Sequence, residues 1–298
     1  MTTSNQMVQQ KMPFSVAVNT PSMQKLIANA LHDPARCARF TASIVSAVSV
    51  NQALQNCDRN TVISGALLGE SLNLSPSPQL GQYYLVPFNN KKKGIQDAQF
   101  VLGYKGYVQL ALRSGQYKSI NVEIVKQGEY KGRDPMTGDP RFQFLEDDDE
   151  WERLPVIGYM ASFEYLNGFR KVLYWSKEKM MNHADRYSAT FSRKAYENLT
   201  AGNIPQGDMW KYSSFWYKDF DSMAKKTMLR QLISKWGIMS TDMQSAYESD
   251  SRVIEETESG QLVPQVEEEP PQQIEEPQAA EQIPAQPTEP KQIDLSSL

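Results

Sequence analysis

Apolar residues recur at helical spacing between residues 20 and about 74 and then switch to alternation, and this change of period divides the chain. Thr20-Pro21 opens the first predicted helix, with Thr20 as N-cap and Pro21 at the first helical position, where a missing N–H costs nothing. Leu26, Ile27, Ala30 and Leu31 form its stripe. Asp33-Pro34 repeats the start signal ahead of Phe40, Ile44, Ala47 and Val48. A third helix is expected after Asp58 or Asn60, running to about Leu74, and Pro76 and Pro78 end the helical opening.

Strands follow. Gln82 to Phe88 and Ala98 to Leu102 read as a pair joined by a loop carrying Lys91, Lys92 and Lys93, which is either a soluble turn or a finger for phosphates. Gly103-Tyr104-Lys105-Gly106 leads into a helix that ends near Arg113. Tyr117 to Lys126 alternates as a third strand, and residues 134–140 are a turn-rich loop. Val156 to Tyr165 and Arg170 to Trp175 form a hairpin around Asn167-Gly168, a pair suited to a type I′ turn with positive φ at both residues. Ser176 caps a helix with Lys177, Lys179, His183 and Arg186, and Gly202 to Asp208 is a loop. The fold class is therefore α+β: N-terminal helices, a small antiparallel sheet with β-hairpins, and a long C-terminal helix, followed by a disordered acidic tail.

Charge sharpens the division. From Ala246 onward there are 13 acids and two bases, a net −11, whereas the first 245 residues carry 22 acids and 29 bases, a net +7. The whole-chain value of −4 thus hides a basic body. The last segment lacks aromatic residues after Tyr247 and is rich in Pro, Gln and Glu, so it cannot bury enough apolar surface to offset its ordering entropy. The expected organisation is a disordered arm over 1–19, a core over 20–247 and a disordered tail over 248–298. No apolar run reaches membrane-spanning length, which points to a soluble, cytoplasmic protein with Cys37 and Cys57 as free thiols.

The residues with most chemistry lie between Trp210 and Trp236. Lys211, Lys218, Lys225, Lys226, Arg230 and Lys235 are interleaved there with large aromatics, against two acids, Asp219 and Asp221. Cations hold phosphates and aromatic faces hold bases, so the mixture suits single-stranded nucleic acid; an amphipathic helix with a solvated face is the plainer reading. On a helical wheel Trp216, Phe220, Met223 and Thr227 oppose Leu229, Leu232, Ile233 and Trp236. Either the helix is sandwiched or one apolar face serves bases. The glycines of Gly103-Tyr104-Lys105-Gly106 serve either a tight turn or an anion resting at the helix start.

Other chemistry is missing or weak. There is no Walker A pattern, no GxSxG or HExxH motif, and two histidines with two cysteines do not make a usual zinc cluster, so no cofactor and no metal are implied. Five acids from Glu146 to Glu150 could serve a metal-dependent nuclease, although consecutive loop residues rarely converge on one ion, and a solvated loop is the simpler account.

Four segments taken together, LGQYYLVPFNNKKKG, FVLGYKGYVQLALRSGQYKSINVEIV, VIGYMASFEYLNGFRKVLYWSKE and FDSMAKKTMLRQLISKW, resemble the RecT-type phage single-strand annealing recombinases over roughly residues 20–247. The resemblance implies ATP-independent annealing of complementary DNA strands by rings or filaments, no enzymatic step, and DNA in a basic groove along successive subunits. It implies as partners single-stranded DNA, the annealed duplex intermediate, further copies of the chain, a 5′-to-3′ exonuclease and the host single-strand-binding protein. Carried onto matching positions, it places Lys105, Tyr107, Arg113, Phe220, Lys225, Lys226 and Arg230 at DNA. Phe220 either stacks on bases or fills the core. Lys118, Arg186 and Lys211 join them on charge and position. Alternatives of other classes are the nuclease using Glu146 to Glu150 and a scaffold recruiting partners through its acidic tail.

Overall fold

The structure, a computed structural model, describes residues 12–90, 92–188, 190–257 and 260–265. Its first part is helical: α1 (Phe14–Ala17), α2 (Pro21–Leu31), α3 (Pro34–Val50) and α4 (Arg59–Ser71). Asp33 and Asp58 cap α3 and α4, each accepting from two backbone N–H groups of the first turn. Thr20 stands at the N-cap of α2 without making that bond; its hydroxyl donates to the Ala17 carbonyl instead. Phe14 and Val18 are buried, so ordered chain begins earlier than the expected residue 20. Nine successive residues of α4, Thr61 to Gly69, are buried, which makes it the central helix of this half.

Two strands, β1 (Tyr83–Asn90) and β2 (Ile95–Leu102), pair antiparallel from Tyr83 opposite Leu102 to Asn90 opposite Ile95. They are followed by α5 (Tyr104–Arg113), β3 (Tyr117–Lys126), β4 (Tyr130–Arg133), β5 (Pro140–Phe142) and α6 (Asp148–Arg153). The hairpin of β6 (Val156–Tyr165) and β7 (Arg170–Ser176) comes next. Its turn differs from the expected type I′. Gly168 alone has positive φ, the Gly168 N–H donates to the Tyr165 carbonyl, and the Asn167 side chain accepts from the Phe169 N–H. That is a type I turn closed by a left-handed glycine, the geometry of a longer connection.

The remaining elements are α7 (Lys177–Tyr187), α8 (Arg193–Thr200), α9 (Phe215–Lys218), α10 (Phe220–Trp236), α11 (Thr241–Ser249), β8 (Arg252–Glu256) and β9 (Leu262–Pro264). The aromatic-rich stretch is thus not one helix. A 3-10 turn over Gln206–Tyr212 and the short α9 precede α10, whose N-cap is Asp219.

Strands are arranged in an antiparallel sheet β1-β2-β8-β9, a second sheet β3-β6-β7 and the small pair β4-β5. The first includes a correction. Residues beyond 247, expected to be disordered, supply β8, which pairs with β2 through Gln99 opposite Val253 and Phe100 opposite Arg252. Composition averaged over the tail hid the apolar pair Val253-Ile254, both buried in the core. The part of the acidic tail beyond residue 265, to which the scaffold alternative assigns recruitment, lies outside the described residues, as do Lys91 of the hairpin loop and the start of the N-terminal arm.

Helix α10 lies between the second sheet and α5. Met228, Leu229, Leu232 and Ile233 are wholly buried, and each removes a side chain worth about 1.5–3 kcal/mol from water. Of the two readings of its opposed apolar stripes, the sandwiched helix is the one observed. No helix of the described residues is long and apolar enough to cross a membrane.

Candidate nucleic-acid interface

Two neighbouring constellations involve α5 and α10, one buried and one open. The buried one is built on Asp250, between α11 and β8. Its carboxylate accepts from Lys226 Nζ at 2.8 Å, an Arg230 guanidinium N–H at 2.7 Å, the Leu102 backbone N–H at 2.9 Å and the Tyr107 hydroxyl at 3.2 Å. Burial drives the Asp250 pKa up, but Lys226 and Arg230 outweigh it and hold the carboxylate below its ordinary range. Burial also lowers the Lys226 pKa against the pull of Asp250, and it pushes the Tyr107 hydroxyl well up, with Asp250 adding to the shift. Arg230 further lies 4.3 Å over the Tyr247 ring. Three residues expected at DNA, Tyr107, Lys226 and Arg230, are therefore brought together, around an internal carboxylate.

The open constellation is a strip of rings and cations. Lys225, beside Lys226 in sequence but turned about 100° around the helix, holds its Nζ 4.9 Å from the Tyr104 ring centroid. Tyr84 on β1 meets Phe215 with ring centroids 5.3 Å apart, and burial raises its hydroxyl pKa, with Asp219 and Tyr104 adding to the shift. Phe215 and Lys105 are exposed. The strip thus runs Phe215, Tyr84, Tyr104, Lys225, with Lys105 next to Tyr104 at the start of α5. Gly103, the N-cap of α5, supplies no side-chain cap.

The two glycines here have a packing reason. A Cβ on Gly103 would stand 2.1 Å from the Gly81 carbonyl oxygen, and one on Gly106 would stand 2.2 Å from that of Gln82. Gly103 also donates its N–H to the Gln82 carbonyl at 2.8 Å. Close backbone passage accounts for both glycines, whereas Lys105 between them points outward.

The other expected residues lie apart from the strip's contacts. Arg113 donates to the Leu72 and Asn73 carbonyls at 2.9 Å each, closing the C-terminal end of α4. Lys118 pairs with Glu164 at 2.6 Å, and Lys211 pairs with Asp208 at 2.8 Å beside the exposed Trp210. Arg186 is exposed on α7, its guanidinium 5.3 Å from the Tyr187 ring. Phe220 is buried among aromatic rings, stacked on Tyr196 at 4.9 Å and tilted against Trp216 at 5.3 Å. Its core role is the one the geometry shows. Tyr84, Tyr104 and Phe215 are not among the residues expected at DNA, since single aromatics in strands and short helices carry no motif; the runs QYYLVPF and SSFWYK hold two of them.

Within the 146–150 run, Asp147 to Glu150 open a helix and Glu146 precedes it. Asp147 caps α6 through the Glu150 N–H, and Asp148, Asp149 and Glu150 form its first turn, where the helix dipole favours negative charge. Among the described residues no group of three or more acids, histidines or cysteines is placed to hold a metal ion.

A mixed α/β domain that displays aromatic rings beside cations has the make-up of a protein that holds single-stranded nucleic acid. Comparison with known sequences gives that class its name: the RecT family model matches residues 38–267, and the chain belongs to the RecT family, the single-strand annealing proteins of DNA recombination. Among similar proteins is the uncharacterized protein YqaK of Bacillus subtilis (strain 168), 39% identical over 228 residues, 76% of this chain and 67% of the relative. Protein RecT of Escherichia coli (strain K12) is 35% identical over 114 residues, 38% of this chain and 42% of that protein.

Proposed function

We infer that this chain binds single-stranded DNA along the strip of Phe215, Tyr84, Tyr104, Lys225 and Lys105 and anneals it to a complementary strand without ATP. The supporting observation is the Lys225 ammonium seated over the Tyr104 ring beside exposed Lys105, because it offers a phosphate-binding charge and a stacking face within one nucleotide's reach. Rings or filaments of the chain would continue the strip from copy to copy, so that individually weak contacts add through avidity. Annealing breaks no covalent bond. Its driving force is base stacking, about 1.4 kcal/mol per step, once the repulsion between two polyanions is screened.

In this reading the exposed Lys118, Arg186 and Lys211 are outlying phosphate contacts. Tyr107, Lys226 and Arg230 form the buried cluster behind the strip, while Arg113 and Phe220 act through packing elsewhere in the fold. An exonuclease that exposes the first strand and the host single-strand-binding protein are the protein partners that belong to this reading.

The test combines labelled complementary oligonucleotides with the full chain, ATP omitted and magnesium present, followed by electron microscopy after each strand is added. Annealing of intact strands with ring or filament formation is expected. Cleavage of the label would favour the nuclease alternative. Undiminished binding and annealing by Tyr104→Ala with Lys225→Ala would remove the strip from the path of DNA.

A further inference from the structure

Helix α7 presents three sides. Met180 and Ala184 are buried and seat it against β6 and β7. Its two acids are drawn to Arg193 at the start of α8, whose guanidinium stands 3.7 Å from Glu178 and whose backbone N–H donates to Asp185 at 2.7 Å. The third side carries Lys179, His183 and Arg186. At 100° per residue these three lie within about 60° of one another, and the first and last are about 10.5 Å apart along the helix axis.

Each cation on that side is seated against a ring. Lys179 Nζ lies 4.7 Å from the Trp175 ring centroid, and the Arg186 guanidinium lies 5.3 Å from that of Tyr187. The His183 ring joins the two seats, 5.0 Å from Trp175 and 4.6 Å from Tyr187. Lys179 and Arg186 are exposed. A cation already held over a ring gives up less side-chain freedom when it grips an anion, which is the advantage of preorganisation.

The end of α7 runs into the strip. The Ser214 hydroxyl donates to the Thr190 carbonyl at 3.0 Å, and the Tyr217 hydroxyl accepts from the Ser192 N–H at 2.8 Å, so the chain just past Arg186 is fastened on either side of Phe215. Lys218, three residues after Phe215 and so on the same side of α9, is exposed and continues the positive charge. The acids beside this junction are committed elsewhere: Asp219 caps α10 through the Ser222 N–H at 3.1 Å, and Asp221 accepts from the Tyr159 hydroxyl at 2.6 Å.

We propose that the side of α7 carrying Lys179, His183 and Arg186 grips the phosphates of the single strand where it passes beyond Phe215, an inference that rests on the strip being the path of DNA. The ligand is a run of phosphodiesters held without regard to sequence. At one charge per about 3.4 Å of strand, the row spans about three nucleotides.

The test follows fluorescence anisotropy of labelled oligothymidylate with the full chain over a salt series. It compares the wild type, Lys179→Ala with Arg186→Ala, and the charge-keeping pair Lys179→Arg with Arg186→Lys. Loss of two phosphate contacts is expected to lower the salt slope by about 1.4 in the alanine pair, and the charge-keeping pair restores it. Circular dichroism and sedimentation without DNA accompany each protein. Should the alanine pair fail to fold, Lys179→Gln alone, expected to lower the slope by about 0.7, replaces it. An unchanged slope overturns the proposal, and unchanged slope with altered sedimentation marks the row as a contact between copies instead. Equal loss in the alanine and charge-keeping pairs also overturns it, because packing rather than charge would then carry the effect. Tyr104→Ala with Lys225→Ala, run in the same series, tests the strip apart. Weakened binding by that pair beside an unchanged α7 variant removes the row alone, whereas a slope lost only in the α7 variant keeps the phosphate grip and removes the strip.

Discussion

Lys226 donates to Asp250 at 2.8 Å, and with that bond the last long helix grips the segment that runs into the final sheet. Removing the carboxylate leaves Lys226 and Arg230 buried without their counter-ion. Asp250→Asn is therefore expected to destabilise the chain by about 3–5 kcal/mol, read from urea unfolding. A chain cut after Tyr247 loses Asp250 and β8 together and fails to fold, whereas one cut after Gln265 keeps both.

The same carboxylate sets an acid limit. Its folded-state pKa lies below the unfolded value of about 3.9, so the unfolded chain binds more protons between the two. The stabilisation is complete above the unfolded pKa and is lost as pH falls through the folded one. Wild-type stability should fall below about pH 4 more steeply than that of Asp250→Asn, measured by denaturant titration at successive pH values.

Neighbouring lysines should part company when each is replaced singly. Lys225→Ala is expected to fold normally and to reduce the salt slope of single-strand binding by about 0.7, the share of one phosphate. Lys226→Ala should instead lower the unfolding midpoint, because it strips Asp250 of a buried partner. Fluorescence anisotropy across a salt series and thermal unfolding make the comparison. An unchanged slope for Lys225→Ala would take that lysine off the strand.

Gly106→Ala tests the close passage over α5 of Gln82, the residue that leads into β1. A Cβ 2.2 Å from a carbonyl oxygen forces the backbone apart, and a loss of about 3 kcal/mol is expected. Gly207→Ala, where nothing stands within 4 Å and φ is not positive, should change stability by less than about 0.5 kcal/mol. Urea midpoints of the two variants suffice.

Periodicity and capping chemistry made most of the elements legible. Asp33, Asp58 and Ser176 announce helices that begin where those side chains bond, and alternation placed β3 and β6 at their observed bounds. Long-range partners were not legible. Lys225 and Lys226 are the same residue type side by side, and what separates them is Asp250, 24 residues away from Lys226, in a segment whose average composition resembled a solvated tail. Burial on both sides of α10 likewise depends on two neighbours that a single helix's sequence does not name. The rings of the strip come from β1, α5 and α9, so no local pattern gathers them.

The pairing of Phe100 with Arg252 also has a bearing on how the chain is made. During synthesis the hydrogen-bonding edge of β2, together with Lys226 and Arg230, must wait for residues 250–256 to leave the ribosome. Until then a nascent chain carries an unpaired strand edge and two cations in a site built for an anion, a state prone to pair with another copy or with any nearby polyanion.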